Sequence, residues 1–190
     1  MTINWIILVS AITVVFGWQF LSLFSIHARD KENFSNEVND EIYQAVYTMN
    51  MFQAGKTPKN HYCGMNPKTR QIVYFLGAER DTITFPASIG VIEAGNRAMY
   101  DIRTPYWTLE RIDSLFRANL VDHLNIPISY KLKDSTGNMI ASHGEIIPSG
   151  NIIEGTPVQL GFLAKHELRY EYVYPLSLFF KTNIQLLVLL

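Results

Sequence analysis

The sequence predicts an α+β protein: a long N-terminal helix that leaves a membrane and runs on into a domain with an antiparallel sheet. Three observations predict it. Residues 1–26 hold no Asp, Glu, Lys, Arg or His. An apolar stripe at helical spacing follows without Gly or Pro. The second half of the chain then turns to strict apolar/polar alternation, the period of half-buried strands.

The first stretch, MTINWIILVSAITVVFGWQFLSLFSI, is long enough to be a transmembrane helix. As a helix it rises roughly 39 Å, against a hydrocarbon core of about 30 Å. Its polar residues are Asn, Ser, Thr and Gln, which a helix can return to its own backbone. Trp5 and Trp18 suit interfacial anchoring. A cleaved secretory signal fits less well. No basic residue precedes the apolar run, the run is too long, and Phe16-Gly17-Trp18 and Leu23-Phe24-Ser25 are poor cleavage sites.

From Ala28 to Ala54 the stripe continues through Phe34, Val38, Ile42, Ala45, Met49 and Phe52, with charged residues off it. The spacing predicts one continuous helix that packs this stripe on its own domain. A dimer contact along the same helix is the second use of such a stripe. Gly55 and Pro58 are its expected stop. The following stretch to Asn96 is rich in turn residues. Ile72–Leu76 and Thr82–Phe85 are candidate short strands, and Gly90, Gly95 and Asn96 read as breaks.

Arg97–Arg103 reads as a strand. Thr104-Pro105 reads as a helix start, with Thr as cap and Pro at the first position. Leu109, Ile112, Leu115, Phe116, Leu120 and Leu124 give that helix an apolar face, and Asn125 and Pro127 end it. Ile128, Tyr130 and Leu132 then alternate with Ser129, Lys131 and Lys133. Residues 134–138 (DSTGN) are a turn, and Met139–Ser142 the returning strand. Val158, Leu160 and Phe162 alternate again, as do Leu168, Tyr170, Tyr172 and Tyr174. At the end, TNIQLLVLL is uncharged but too short to span alone. With Leu176–Phe180 it reads as the start of a second membrane helix, Lys181 snorkelling at the interface. The resulting plan is 3–26 first membrane helix, 27–54 helical extension, 55–175 domain, and 176–190 the truncated second membrane helix.

Net charge is −1 and the basic residues form no patch, so nothing points to nucleic acid. Cys63 is the single cysteine and reads as a free thiol with a packing role, a bridge across a dimer being the alternative. His27, His61, His123 and His143 show no metal-ligand spacing. Asp113 and Asp122 share a helix, but nothing in sequence pairs them into an acid/base couple. The run Tyr170, Tyr172, Tyr174 reads as core plus an interfacial belt rather than a stacking platform. The segment offers no catalytic or metal site, and no cofactor-binding residue can be named. Arg29 and Lys31 after the first helix would favour a cytoplasmic domain by the positive-inside rule, but Asp30 and Glu32 interleave and long domains translocate largely regardless of charge.

His166-Glu167-Leu168-Arg169 looks like the phosphoacceptor box of histidine kinases. Tyr170 and Glu171 replace its Thr and Pro, and the context alternates like a strand, so His166 reads as a surface or edge-strand residue. The whole plan nevertheless resembles the N-terminal sensory region of a membrane-bound two-component sensor histidine kinase. Trp18-Gln19-Phe20 with Arg29, Phe34, Val38, Ile42 and Ala45 is similar to that family's first helix, with different spacing. The better match runs from Leu109 to Ser142, through Leu115, Phe116, Leu120, Ile126, Tyr130, Asp134, Gly137, Ile140 and Ser142. Phe179-Phe180-Lys181-Thr182 before an apolar run is also similar.

These are fold motifs. The resemblance implies a PAS-like domain outside the cytoplasmic membrane, a homodimer, an unidentified small-molecule or protein signal, and mechanical relay through the membrane helices. It also implies a kinase half beyond this chain that binds ATP, phosphorylates its own His and serves a response regulator. Other outputs fit the same outside part, namely a chemoreceptor or a cyclase. A pilin-like or secretion-system protein is the structural alternative, but its basic leader, processing Gly and early Glu are absent.

Overall fold

The computed structural model describes residues 2–52, 58–103, 106–120, 126–147, 151–175 and 177. The chain divides into two units, Met1–Glu37 with Tyr174–Leu190, and Val38–Val173. The stretch expected as a helical extension, 27–54, straddles that division. One helix, α1 (Thr2–Phe52), runs through both units for 51 residues. At about 1.5 Å per residue it is roughly 76 Å long. The stop expected at Gly55 lies outside the described residues.

In the first unit α1 turns apolar side chains outward. Trp5, Val14, Trp18, Phe20 and Phe24 are each at least 67 % exposed. The Thr13 hydroxyl donates to the Val9 carbonyl at 2.9 Å, so its polar group is returned to the helix backbone. The stretch is long and apolar enough to cross a membrane. Further along, the Phe34 and His27 rings meet Tyr174 edge-on, at 5.4 and 5.5 Å between centroids. Of the expected second membrane helix, 176–190, all but residue 177 lies outside the described residues.

The second unit is mixed helix and antiparallel sheet, as expected. Its elements after α1 are β1 (His61–Asn66), β2 (Gln71–Leu76), β3 (Glu79–Thr84), α2 (Val91–Arg103), α3 (Leu109–Asn119), β4 (Ile128–Lys133), β5 (Met139–Gly144), β6 (Ile152–Glu154), β7 (Val158–Leu160) and β8 (His166–Val173). The first three strands form a small sheet in sequence order. The other five form a larger one in the order β5-β4-β8-β6, with β7 also on β8. All pairings are antiparallel.

The small sheet buries Ile72 and Tyr74 from β2 against Ala94, Ala98 and Ile102 of α2, with Phe85 closing the cluster. This corrects the strand expected at Arg97–Arg103. α2 buries two stripes on nearly opposite sides, Ala94-Ala98-Ile102 and Asn96-Tyr100-Arg103. Their union places buried residues at every second position from 94 to 102, which imitates a strand. Gly95 and Asn96, expected as breaks, lie inside this helix, and Gly90 supplies the carbonyl that accepts the Ala94 N–H at 2.9 Å. The turn-rich region thus holds a three-stranded sheet, in which β2 and β3 cover the two strands expected at Ile72–Leu76 and Thr82–Phe85 and β1 is the strand not expected.

The larger sheet follows its alternation. β4 buries Ile128, Tyr130 and Leu132, and β8 buries Leu168, Tyr170 and Tyr172. Register places Tyr130 opposite Tyr170 and Leu132 opposite Leu168, so these side chains share one face. α1 contributes the stripe Val38, Ile42, Ala45 and Met49, all buried, whereas Phe52, expected in the same stripe, is 74 % exposed. α3 starts at Leu109 behind Thr108, whose backbone is extended. The expected start at Thr104-Pro105 lies outside the described residues, as do Leu124 and Asn125. α3 buries Leu109, Ile112 and Phe116. The Asp134–Asn138 turn forms as expected, the Asp134 carboxylate accepting from the Thr136 and Asn138 amides at 2.8 and 2.9 Å.

Candidate functional site

The second half of α1 is fixed to the domain by two asparagines that flank its buried stripe. Asn39 Oδ1 accepts the Tyr170 hydroxyl at 2.6 Å and the Thr156 amide at 3.1 Å. Tyr170 is 2 % exposed, so its hydroxyl depends on that acceptor. The segment joining β6 to β7 can lie on the Tyr170 ring only because residue 155 is glycine. A Cβ there would stand 2.0 Å from Tyr170 Cε2. In the last turn of α1, Asn50 Nδ2 donates to Asn96 Oδ1 on α2 at 2.8 Å. The buried Arg103 guanidinium donates to the Asn50 carbonyl. The helix is therefore held to β8 at one point and to α2 at another.

A third polar centre joins α2 to the segment before β8. Asp101 accepts the Tyr74 hydroxyl at 2.9 Å and the amides of Phe162 at 2.8 Å, Ala164 at 3.0 Å and Leu163 at 3.2 Å. Gly161 closes this turn at φ 71°, and a Cβ there would fall 2.2 Å from Asp101 Oδ1. Burial, then the Asp101 charge, pushes the Tyr74 and Tyr100 phenols well above the ordinary tyrosine range.

A fourth cluster joins α3 to β5. The His143 ring stacks on Tyr130, with Nδ1 3.7 Å from Glu110 and Nε2 3.7 Å from Asp113. Arg117 Nε lies 3.0 Å from both Asp113 oxygens. Asp113, which sequence left without a partner, is thus ion-paired to Arg117 within α3 and faces the His143 ring of β5. It stands with a cation and an imidazole rather than with a second carboxylate.

The other residues singled out from sequence scatter. His166 is not on an edge: β8 pairs with β4 on one side and with β6 and β7 on the other. Its Nδ1 lies 2.7 Å from the Tyr100 hydroxyl. Tyr170 and Tyr172 are core residues stacked 6.3 Å apart. Tyr174 is buried as well. Cys63 is a half-buried free thiol whose pKa burial raises. His61 opens β1. His123 and Asp122 lie outside the described residues. Among the described residues no group of three or more His, Cys, Asp or Glu side chains is arranged to hold a metal.

Sequence reasoning missed Asn39, Asn50 and Asp101. The signal for the first two was present: Asn39, Ile42, Val46 and Asn50 recur at spacings of three, four and four, which puts two amides on the buried side of α1. No protein-family model, curated protein or solved structure matches the chain.

Proposed function

We propose that the chain is the signal-sensing and transmembrane part of a two-component sensor histidine kinase. On this reading residues 3–26 cross the cytoplasmic membrane and the domain of 55–175 is PAS-like and stands outside it. Residues 176–190 begin a second membrane helix. The chain works as a homodimer, and a cytoplasmic module of the longer protein binds ATP, phosphorylates itself and serves a response regulator. The observation that carries the reading is the single helix α1. Its first half exposes apolar side chains, and its second half is built into an α+β domain without a break. A stiff rod of this kind passes a displacement from domain to membrane. The asparagine contacts supply points at which a change in the sheet would move the rod. The family resemblance of Leu109–Ser142 supplies the kinase context.

Topology tests it. Alkaline phosphatase, active only outside the cytoplasm, and a fluorescent protein that matures in the cytoplasm are each fused after Thr136, in the exposed turn between β4 and β5. The reading expects phosphatase activity and no fluorescence. Fluorescence without phosphatase activity would put the domain in the cytoplasm and end the extracytoplasmic reading.

A further inference from the structure

The two ends of the larger sheet are finished with unlike chemistry. At one end β4 turns into β5 through Asp134-Ser135-Thr136-Gly137-Asn138, a polar turn of the kind that suits water. Lys133 and Glu167 pair across β4 and β8 beside it. At the other end β5 leaves the sheet through Glu145, Ile146 and Ile147, and the chain returns as Ile152 and Ile153 of β6. No residue from Ile146 to Ile153 is charged. Ile146 is 97 % exposed, more than any other large apolar side chain among the described residues, and Ile152 is 41 % exposed. Nothing in the domain covers the Ile146 side chain.

Register fixes the place of these isoleucines. Ile152 pairs with Val173, the last residue of β8. The Val173 N–H donates to the Pro127 carbonyl at 3.3 Å, and the Glu145 N–H to the Ile128 carbonyl at 2.9 Å. The two stems of the β5–β6 connection thus stand on either side of the start of β4 and the end of β8. That is the end from which the chain leaves the domain. Ile152 is one strand spacing, about 5 Å, from Val173. From Val173 to residue 176, where the second membrane segment is expected, the chain spans at most about 11 Å whatever its conformation. Tyr174, the residue after Val173, meets the rings of His27 and Phe34, just past the uncharged stretch of α1. Bounds set by chain connectivity hold at any angle between helix and sheet. The headgroup layer adds about 5–8 Å to each side of the hydrocarbon core, so a loop this close to it is within reach of lipid.

We propose that the β5–β6 connection is a lipid contact of the domain, Ile146 entering the headgroup boundary of the bilayer with Ile147 behind it. The proposal rests on the reading of 3–26 and 176–190 as membrane segments, and it holds for a domain on either side of the membrane. An exposed apolar loop marks a surface that meets something other than water. Its place at the exit of β8, and not at the polar end of the sheet, makes that partner the bilayer. The contact is hydrophobic and needs no anionic headgroup: residues 145–154 hold no Lys or Arg, and Glu145 faces Arg117 at 3.4 Å. One or two isoleucines bind lipid weakly alone, but a tethered loop meets the surface at high effective concentration. The sheet thereby gains an attachment to the membrane besides its covalent ones.

The test uses the full chain in phosphatidylcholine nanodiscs, in a Cys63→Ala background, with an environment-sensitive NBD fluorophore on one cysteine. Ile146→Cys is the probe. Ser135→Cys, in the turn at the other end of the sheet, is the control in water, and Val14→Cys the control for the membrane helix. Positions 146, 135 and 14 are all exposed on the chain itself, so the labels leave the fold intact. Part of the lipid is then replaced by phosphatidylcholine carrying a nitroxide on its acyl chain. The expected result is a loss of at least about half the emission at Ile146→Cys and at Val14→Cys, as for side chains within the headgroup and acyl region, and none at Ser135→Cys. High salt leaves the loss at Ile146→Cys unchanged, since screening acts on charges. Quenching at Val14→Cys without quenching at Ile146→Cys would overturn the proposal and leave the membrane reading standing. No quenching at Val14→Cys would end the membrane reading and the proposal together. Blue-shifted emission at Ile146→Cys that nitroxide lipid does not quench would mean that a second copy covers the loop, and would also overturn the proposal.

Discussion

The two halves of α1 have the same backbone and opposite surfaces. Between Trp5 and Phe24 the large exposed side chains are tryptophan, valine, isoleucine, leucine and phenylalanine, with Ser10 and Thr13 the small polar ones among them. From Ala28 to Gln44 the exposed ones include Arg29, Glu32, Asn36, Glu37, Asp40 and Gln44, and the apolar residues turn inward. One helix thus carries surfaces suited to two solvents. A helix apolar on every exposed side has no stable place in water. A helix with one buried stripe has no reason to enter lipid. The change comes within about two turns, around His27, without a proline or a kink-forming residue to mark it.

The largest test of this contrast places one charge in each half. Ile42 is 0 % exposed, and Ile42→Asp forces a carboxylate into the core at a cost of at least about 4 kcal/mol. The domain should lose its cooperative thermal transition while the chain stays in the membrane fraction. Val14→Asp should do the reverse. Insertion is penalised by about 3 kcal/mol for a charge near the helix centre, and the domain's transition is unchanged once the chain is solubilised. Asn39→Ala comes next. It leaves the Tyr170 hydroxyl and the Thr156 amide without their acceptor, for a loss of about 1–3 kcal/mol of stability, read by denaturant unfolding. Asp40→Ala, one residue on but exposed, should change stability by less than about 0.5 kcal/mol. Equal effects at positions 39 and 40 would deny Asn39 its role as an anchor.

Two pH limits sharpen the picture of the domain. Burial raises the pKa of Tyr74, Tyr100, Tyr130 and Tyr170, so the fold favours their neutral forms. That contribution is whole below the unfolded tyrosine value of about 10 and is lost as pH rises above it. The ionisation of these four tyrosines should therefore appear together with loss of helical circular dichroism, not before it. Glu167 is the opposite and smaller case. Its pKa is lowered by the Arg169 hydrogen bond first and Gln159 next. Its contribution is present above the unfolded value of about 4.3 and fades as pH falls below it. Glu167→Gln should flatten the stability curve in that acid range.

The legible parts of the fold are those where a single period rules. The stripe Val38, Ile42, Ala45, Met49 and the alternation Ile128, Tyr130, Leu132 each report one buried face, and the structure places both as read. α2 is buried on two sides, so over Arg97–Arg103 its buried residues alternate and imitate a strand, although Val91, Ala94, Gly95, Ala98, Met99 and Ile102 recur at helical spacing. β1 is a six-residue edge strand with a glycine and no β-branched residue, which leaves Tyr62 as its one strand-favouring residue. β6 has only three residues. The polar centres were hidden for a related reason. Asp101 is identified by the amides of residues 162–164, and His143 by acids on α3, both partnerships distant in sequence.

The most direct measurement is the accessibility of two single cysteines on α1 in a Cys63→Ala background, in native membranes. Val14 is 70 % exposed on the chain itself, so only lipid would hide it. Glu37 is exposed on the polar half. A membrane-impermeant maleimide should label Glu37→Cys readily and Val14→Cys only after detergent is added. Labelling of Val14→Cys at the rate of Glu37→Cys in intact membranes would contradict the two-solvent account of this helix.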